Sequence, residues 1–170
     1  MSASVNLSLP ASLWSANDSR MLALNTVATI KIRTAKGIDA NGQKFAGYST
    51  RPISIMKRGA GLKPKGGQPS SNGQSVFYQG GYKEYKQLSR KRTSGGSGQS
   101  AEVDLVLSGN MMNNLVVLEA NQSGFTIGLT KHVSSYGYRV NEDREFIGLT
   151  DKDVDILAEA VKFDILEKLQ

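Results

Sequence analysis

The sequence predicts an α+β fold in one 170-residue domain. A mainly antiparallel sheet packs against a long N-terminal helix and a C-terminal helix, with a long glycine-rich basic loop between. Three observations predict it. Helical periodicity with start and stop signals marks the two ends of the chain. Apolar alternation concentrates in residues 103–140, and periodicity is lost between Arg51 and Ser100.

Residues 1–14 read as an N-terminal arm, in which Val5, Leu7 and Leu9 alternate with polar residues before Pro10. Ser15-x-x-Asp18 resembles a capping box, with Asp for the usual Glu, and opens the first helix. Met21, Leu24, Ala28, Ile32 and Ala35 fall on one face at helical spacing and are the expected core stripe. Lys31, Arg33 and Lys36 complement the helix C-terminus, and Gly37 ends it. Asp39, Asn41 and Gly42 then supply turn acceptors and a residue that tolerates positive φ, so the chain reverses. Phe45 and Tyr48 follow as aromatic anchors for the returning chain.

From Arg51 to Ser100 only Ser75–Leu88 carries structure-forming residues, with Tyr82, Tyr85 and Leu88 spaced for a short helix or a tyrosine ladder. Residues 57–101 form the long basic loop region, with mobile parts expected at 57–74 and 90–101. Val103, Leu105 and Leu107 predict a strand ending at Ser108-Gly109, and a helical turn follows at 110–115. Leu115–Glu119 and Gly124–Leu129 read as a β-hairpin, and 132–140, with Tyr136 and Tyr138 alternating, as a third strand or a loop. Thr150-x-x-Asp153 caps the last helix, whose stripe is Val154, Leu157, Val161, Ile165 and Leu169. Ile156 and Phe163 lie off that stripe and predict a second buried face, inside the fold or against a partner.

Composition bounds function. With no cysteine, disulfides and thiolate chemistry are excluded, and a reducing compartment fits. Residues 1–10 hold no basic n-region or apolar run, so no signal peptide is expected, and no stretch approaches the roughly 20 apolar residues of a membrane helix. One histidine, His132, leaves no Ser-His-Asp or zinc constellation to build, so no enzyme and no metal or other cofactor is expected. Asp39-Ala40-Asn41-Gly42 fails as a calcium loop, because Lys44 and Thr50 stand where Gly and Glu are required. Gly61–Gln68 fails as a phosphate loop, because Gly67 and Gln68 replace its Lys and Ser/Thr. The acids around Asp151, Asp153 and Asp155 read as helix capping and a solvated face, not a Mg²⁺ site.

The net charge of +6 is unevenly placed. Between Arg51 and Arg92 ten Lys/Arg stand against the single acid Glu84, giving +9; the remaining eleven basic and fourteen acidic residues give −3. Lys57, Arg58, Lys63, Lys65, Arg90, Lys91 and Arg92 are therefore candidate contacts, either to nucleic-acid phosphates or to an acidic protein surface.

Four segments carry a resemblance. They are Gly37-Ile38-Asp39-x-x-Gly42-x-x-Phe45-x-x-Tyr48-Ser49, Tyr82-Lys83-Glu84-Tyr85-Lys86, Val103–Met111 with Leu107 and Gly109, and Arg144–Asp153 with Phe146, Gly148 and Leu149. In this order, over roughly residues 15–160, they resemble the phage virion morphogenesis (tail completion) family. The resemblance implies a non-enzymatic structural protein at the head–tail junction of a tailed phage, assembled in the host cytoplasm. It further implies a ring of six or twelve copies. The implied neighbours are portal or head-completion proteins on one side and tail-tube or tail-terminator proteins on the other, with genomic DNA passing through. Arg144 and Asp153 are expected to pair structurally. The other reading is an accessory protein that binds nucleic acid non-specifically through residues 51–92.

Overall fold

A computed structural model describes residues 2–10, 13–57, 63–89, 103–105 and 109–169. The fold is α+β, and the chain forms two compact units, one of Met1–Phe45 with Asn110–Gln170 and one of Ala46–Gly109.

The first unit is a three-stranded antiparallel sheet in the order β1-β6-β5, formed by Ser2–Asn6, Gly124–Leu129 and Leu115–Asn121. The expected hairpin is β5–β6, with Leu115 opposite Leu129 and a register shift between Val117 and Glu119. The N-terminal arm is its third strand, running from Ser2 opposite Gly128 to Asn6 opposite Gly124. Phe125, Ile127 and Leu129 alternate onto the buried face, where helix α1 (Ala16–Ala35) lies across β5 and β6.

The capping box of α1 is formed, with Asp18 N–H donating to Ser15 Oγ and Ser15 N–H to Asp18 Oδ2. Its buried line, however, is Ser19, Leu22, Ala23, Thr26, Val27, Ile30, Arg33 and Thr34. The stripe expected to be core faces solvent instead: Met21 is 52% exposed, Leu24 48% and Ile32 58%. The cause is that polar groups on the sheet side are satisfied locally. Thr26 Oγ1 donates to Leu22 O at 2.9 Å, and Ser19 Oγ accepts from the buried Trp14 Nε1 at 2.7 Å. Ser19 and Thr26 thus pack against the sheet with their hydroxyls paired, whereas the buried Thr34 Oγ1 has no hydrogen-bond partner.

Residues 132–140, expected as a strand or a loop, lie within helix α4 (Lys131–Asp143), and the helical turn expected before the hairpin is the short α3 (Asn110–Asn113). The buried positions of α4 are Val133, Gly137 and Asn141, spaced four apart. That spacing outranks the Tyr136/Tyr138 alternation. At Gly137 a Cβ would collide with the Leu129 side chain, so glycine lets α4 reach β6. The last helix, α5 (Asp151–Lys168), has its expected Thr150–Asp153 capping box and packs on α1. It buries only Asp153 and Leu157.

The second unit is a small antiparallel sheet, β2-β4-β3, of Ile53–Met56, Ser75–Tyr78 and Gln68–Pro69, with helix α2 (Gly81–Ser89). Two strands therefore lie in a region read as structureless, one of them within the loop expected at 57–74; residues 58–62 and 90–100 are outside those described. Strand β2 pairs with β4 from Ile53–Tyr78 to Met56–Ser75, a long-range match that local glycine content does not reveal. Val76, Tyr78 and Tyr85 form its core, with Ile53, Ile55 and Tyr82 packed around them. Of the strand expected from Val103, residues 103–105 are irregular, with Leu105 at φ 52°, and 106–108, Leu107 included, lie outside the described residues.

Candidate functional site

The motif residues after α1 build a turn. Gly37 (φ 77°) and Gly42 (φ 79°) occupy the left-handed region that favours glycine. Asp39 Oδ1 accepts from the backbone N–H of Asn41 and Gln43 at 2.9 and 2.8 Å, and Phe45 N–H donates to Gly37 O at 2.8 Å. The half-buried Phe45 ends this turn. Ala40 N–H then donates to Glu145 O, which ties the turn to the segment leading into α5.

That segment converges on Arg33. Its guanidinium pairs with Asp153 and donates to Phe146 O at 2.8 Å and Gly148 O at 3.0 Å. The expected pairing of Arg144 with Asp153 is not formed, because Arg33 reaches the carboxylate first from the buried face of α1 while Arg144 sits at the C-cap of α4. Asn141 Oδ1 accepts from Phe146 and Ile147 N–H, which fixes the fully buried Phe146. Leu149 is half-buried beside it in sequence. Burial opposes ionisation of Asp153, but the Thr150 amide and hydroxyl and the Arg33 guanidinium outweigh it and hold the carboxyl below its usual range.

In the second unit a tyrosine cluster surrounds another buried pair. Tyr48 and Tyr82 meet in a tilted contact at 5.2 Å between centroids, and Tyr82 and Tyr85, at 5.8 Å, and Tyr78 and Tyr85, at 5.4 Å, meet edge to face. Lys86 is buried against Asp104, donates to Tyr48 Oη at 2.8 Å and lies over the Tyr48 ring. Burial and the neighbouring tyrosines push the Tyr85 hydroxyl pKa up. Gly109 (φ 81°) closes this unit.

Of the basic candidates, Lys57, Lys63 and Lys65 are exposed. The backbone at Lys65 is held by Tyr78 Oη and Ser89 Oγ, so its side chain leaves an anchored chain. Arg58, Arg90, Lys91 and Arg92 lie outside the described residues, as does Leu107. His132 is exposed on α4, and among the described residues no three His, Asp or Glu side chains come together as a metal set. No described helix is long and apolar enough to cross a membrane.

Sequence reasoning missed two features. Arg33 read as a helix-end charge and Lys86 as part of the basic segment, yet both are buried ion-pair members. The available signal was position: Arg33 stands three and seven residues after Ile30 and Thr26, on the line α1 buries. The second feature is the apolar surface left over. Besides the α1 stripe, Ile156 (53%) and Phe163 (68%) on α5 are exposed, and so are Leu166 and, against the expected core stripe, Val154 and Leu169; the described residues leave the second face of α5 uncovered.

No family model, no curated protein and no solved structure matches this chain.

Proposed function

We propose that the protein is a non-enzymatic assembly part of a tailed-phage virion, forming a ring at the head–tail junction that completes the tail or joins it to the head. The observation that carries this reading is the uncovered apolar surface on α1 and α5. Exposed apolar faces of this kind mark protein–protein contacts. The motif residues support it too, because Gly37, Asp39, Gly42, Phe146, Gly148 and Asp153 serve turns, caps and a buried pair. The four-segment resemblance supplies the phage context. In the ring, the basic 51–92 segment of one subunit meets the acidic remainder of the next, a heterologous contact that closes.

The exposed Lys57, Lys63 and Lys65 favour the second reading, a non-specific nucleic-acid-binding accessory protein. Light scattering on the protein, alone and with duplex DNA at low and moderate salt, separates the two. A ring-sized species indifferent to DNA supports the junction part. A small species that moves onto DNA and is released by salt supports the accessory binder. Charge reversal of Arg90, Lys91 and Arg92 is expected to abolish the ring.

A further inference from the structure

Helices α1 and α5 form an antiparallel pair fixed at both ends. Arg33 pairs with Asp153 at one end, and Lys168 with Asp18, at 2.5 Å, at the other. On α1 the exposed Met21, Leu24, Ala28, Ile32 and Ala35 lie half a turn from the buried line. On α5, Ile156 and Phe163 sit about a quarter-turn from Leu157, which faces α1. With the two helices antiparallel, helical periodicity turns both apolar faces to the side away from the sheet. Two helices about 30 Å long and 8–10 Å apart present on the order of 600 Å² per copy, or about 1,200 Å² when paired, at the lower bound of stable specific interfaces.

Charge selects the occupant. The charges left at the surface of α1 are basic: Arg20, exposed, and Lys31, half-buried, with the exposed Lys36 at its C-cap. Those of α5, leaving aside Lys168 in its pair with Asp18, are five acids (Asp151, Asp155, Glu159, Asp164, Glu167) against Lys152 and Lys162. Placing α1 on its own copy would bring like charges together; placing it across α5 of another copy matches apolar face to apolar face and basic edge to acidic edge. We propose that this helical face docks a second copy of the chain about a two-fold axis, α1 of each copy lying across α5 of the other. The inference deepens the assembly reading and rests on it, but the contact is isologous and separate from the head-to-tail ring contact of the basic segment. In this arrangement Lys31 of one copy stands at the level of Asp155 of the other.

The test is mass by sedimentation or light scattering on the full chain. The native protein is expected to associate in even copy numbers, and Lys31→Glu or Asp155→Lys alone to lower the mass about twofold. Mixing the two variant chains should restore the native mass, because α1 of the first then meets α5 of the second with matched charge at both contacts. Leu24→Glu/Ile32→Glu should also halve the mass, and Met56→Glu, exposed in the other unit, should leave it unchanged. A native monomer at about 100 μM, or a mixture that stays at the single-variant mass, overturns the proposal. Reversing Arg90, Lys91 and Arg92 separates the two readings: the ring disappears and the two-fold pair persists.

Discussion

Among the described residues two ion pairs are buried, Arg33 with Asp153 and Lys86 with Asp104. At Asp153 the carboxylate serves twice, accepting from the α5 cap and neutralising Arg33. Replacing it with asparagine leaves a buried guanidinium without its counter-charge. Asp153→Asn is therefore expected to destabilise the chain by about 3–5 kcal/mol in urea unfolding. Asp18 offers a pH test. The ion pair with Lys168 and the bonds from Ser15 lower its pKa from 3.8 to about 2. A depressed carboxyl pKa contributes stability above the unfolded value and loses it as pH falls through the folded value. Asp18→Asn should thus lower the urea midpoint near neutral pH, with the difference vanishing by about pH 2. Unchanged curves at both pH values would show that the pair adds nothing. Neither partner of Arg33 nor that of Lys86 was legible in the chain, because each lies far away in sequence and is chosen by packing.

At the scale of elements, caps and turns were readable and faces were not. Ser15-x-x-Asp18, Thr150-x-x-Asp153 and the Gly37/Gly42 turn depend on bonds within a few residues, so local sequence determines them. The core face of α1 depends on what lies opposite, and counting apolar residues selected the outer side. This reversal makes a sharp mutational contrast. Ile30→Ala, at a fully buried site, is expected to cost about 2–5 kcal/mol, whereas Ile32→Ala should change monomer stability by less than about 0.5 kcal/mol. Equal losses at the two sites would refute the assignment of faces. Helix α4 teaches the same lesson, since its buried Val133, Gly137 and Asn141 include only one large apolar residue.

For the whole molecule, the chain arranges into two compact units. The second unit holds the +9 segment, while the first holds both helices with bare apolar faces. Self-association and salt-sensitive contacts are therefore assigned to different parts of the chain. Raising salt should weaken any contact made by the exposed Lys57, Lys63 and Lys65 while leaving an apolar helical contact largely intact. Mass measured across a salt series checks this: complete dissociation to monomer at high salt would place all assembly in the charged segment. The sequence by itself determined the α+β class, both long helices, the β5–β6 hairpin, the capping boxes and the charge split, all of which follow from short-range periodicity, local hydrogen bonds or composition. Only the tertiary structure decided the β1 and β2 pairings, the helical identity of α4, the partners of Arg33 and Lys86, and which side of α1 is core. Those are settled by contacts between residues distant in the chain, where packing and charge burial outweigh local preference.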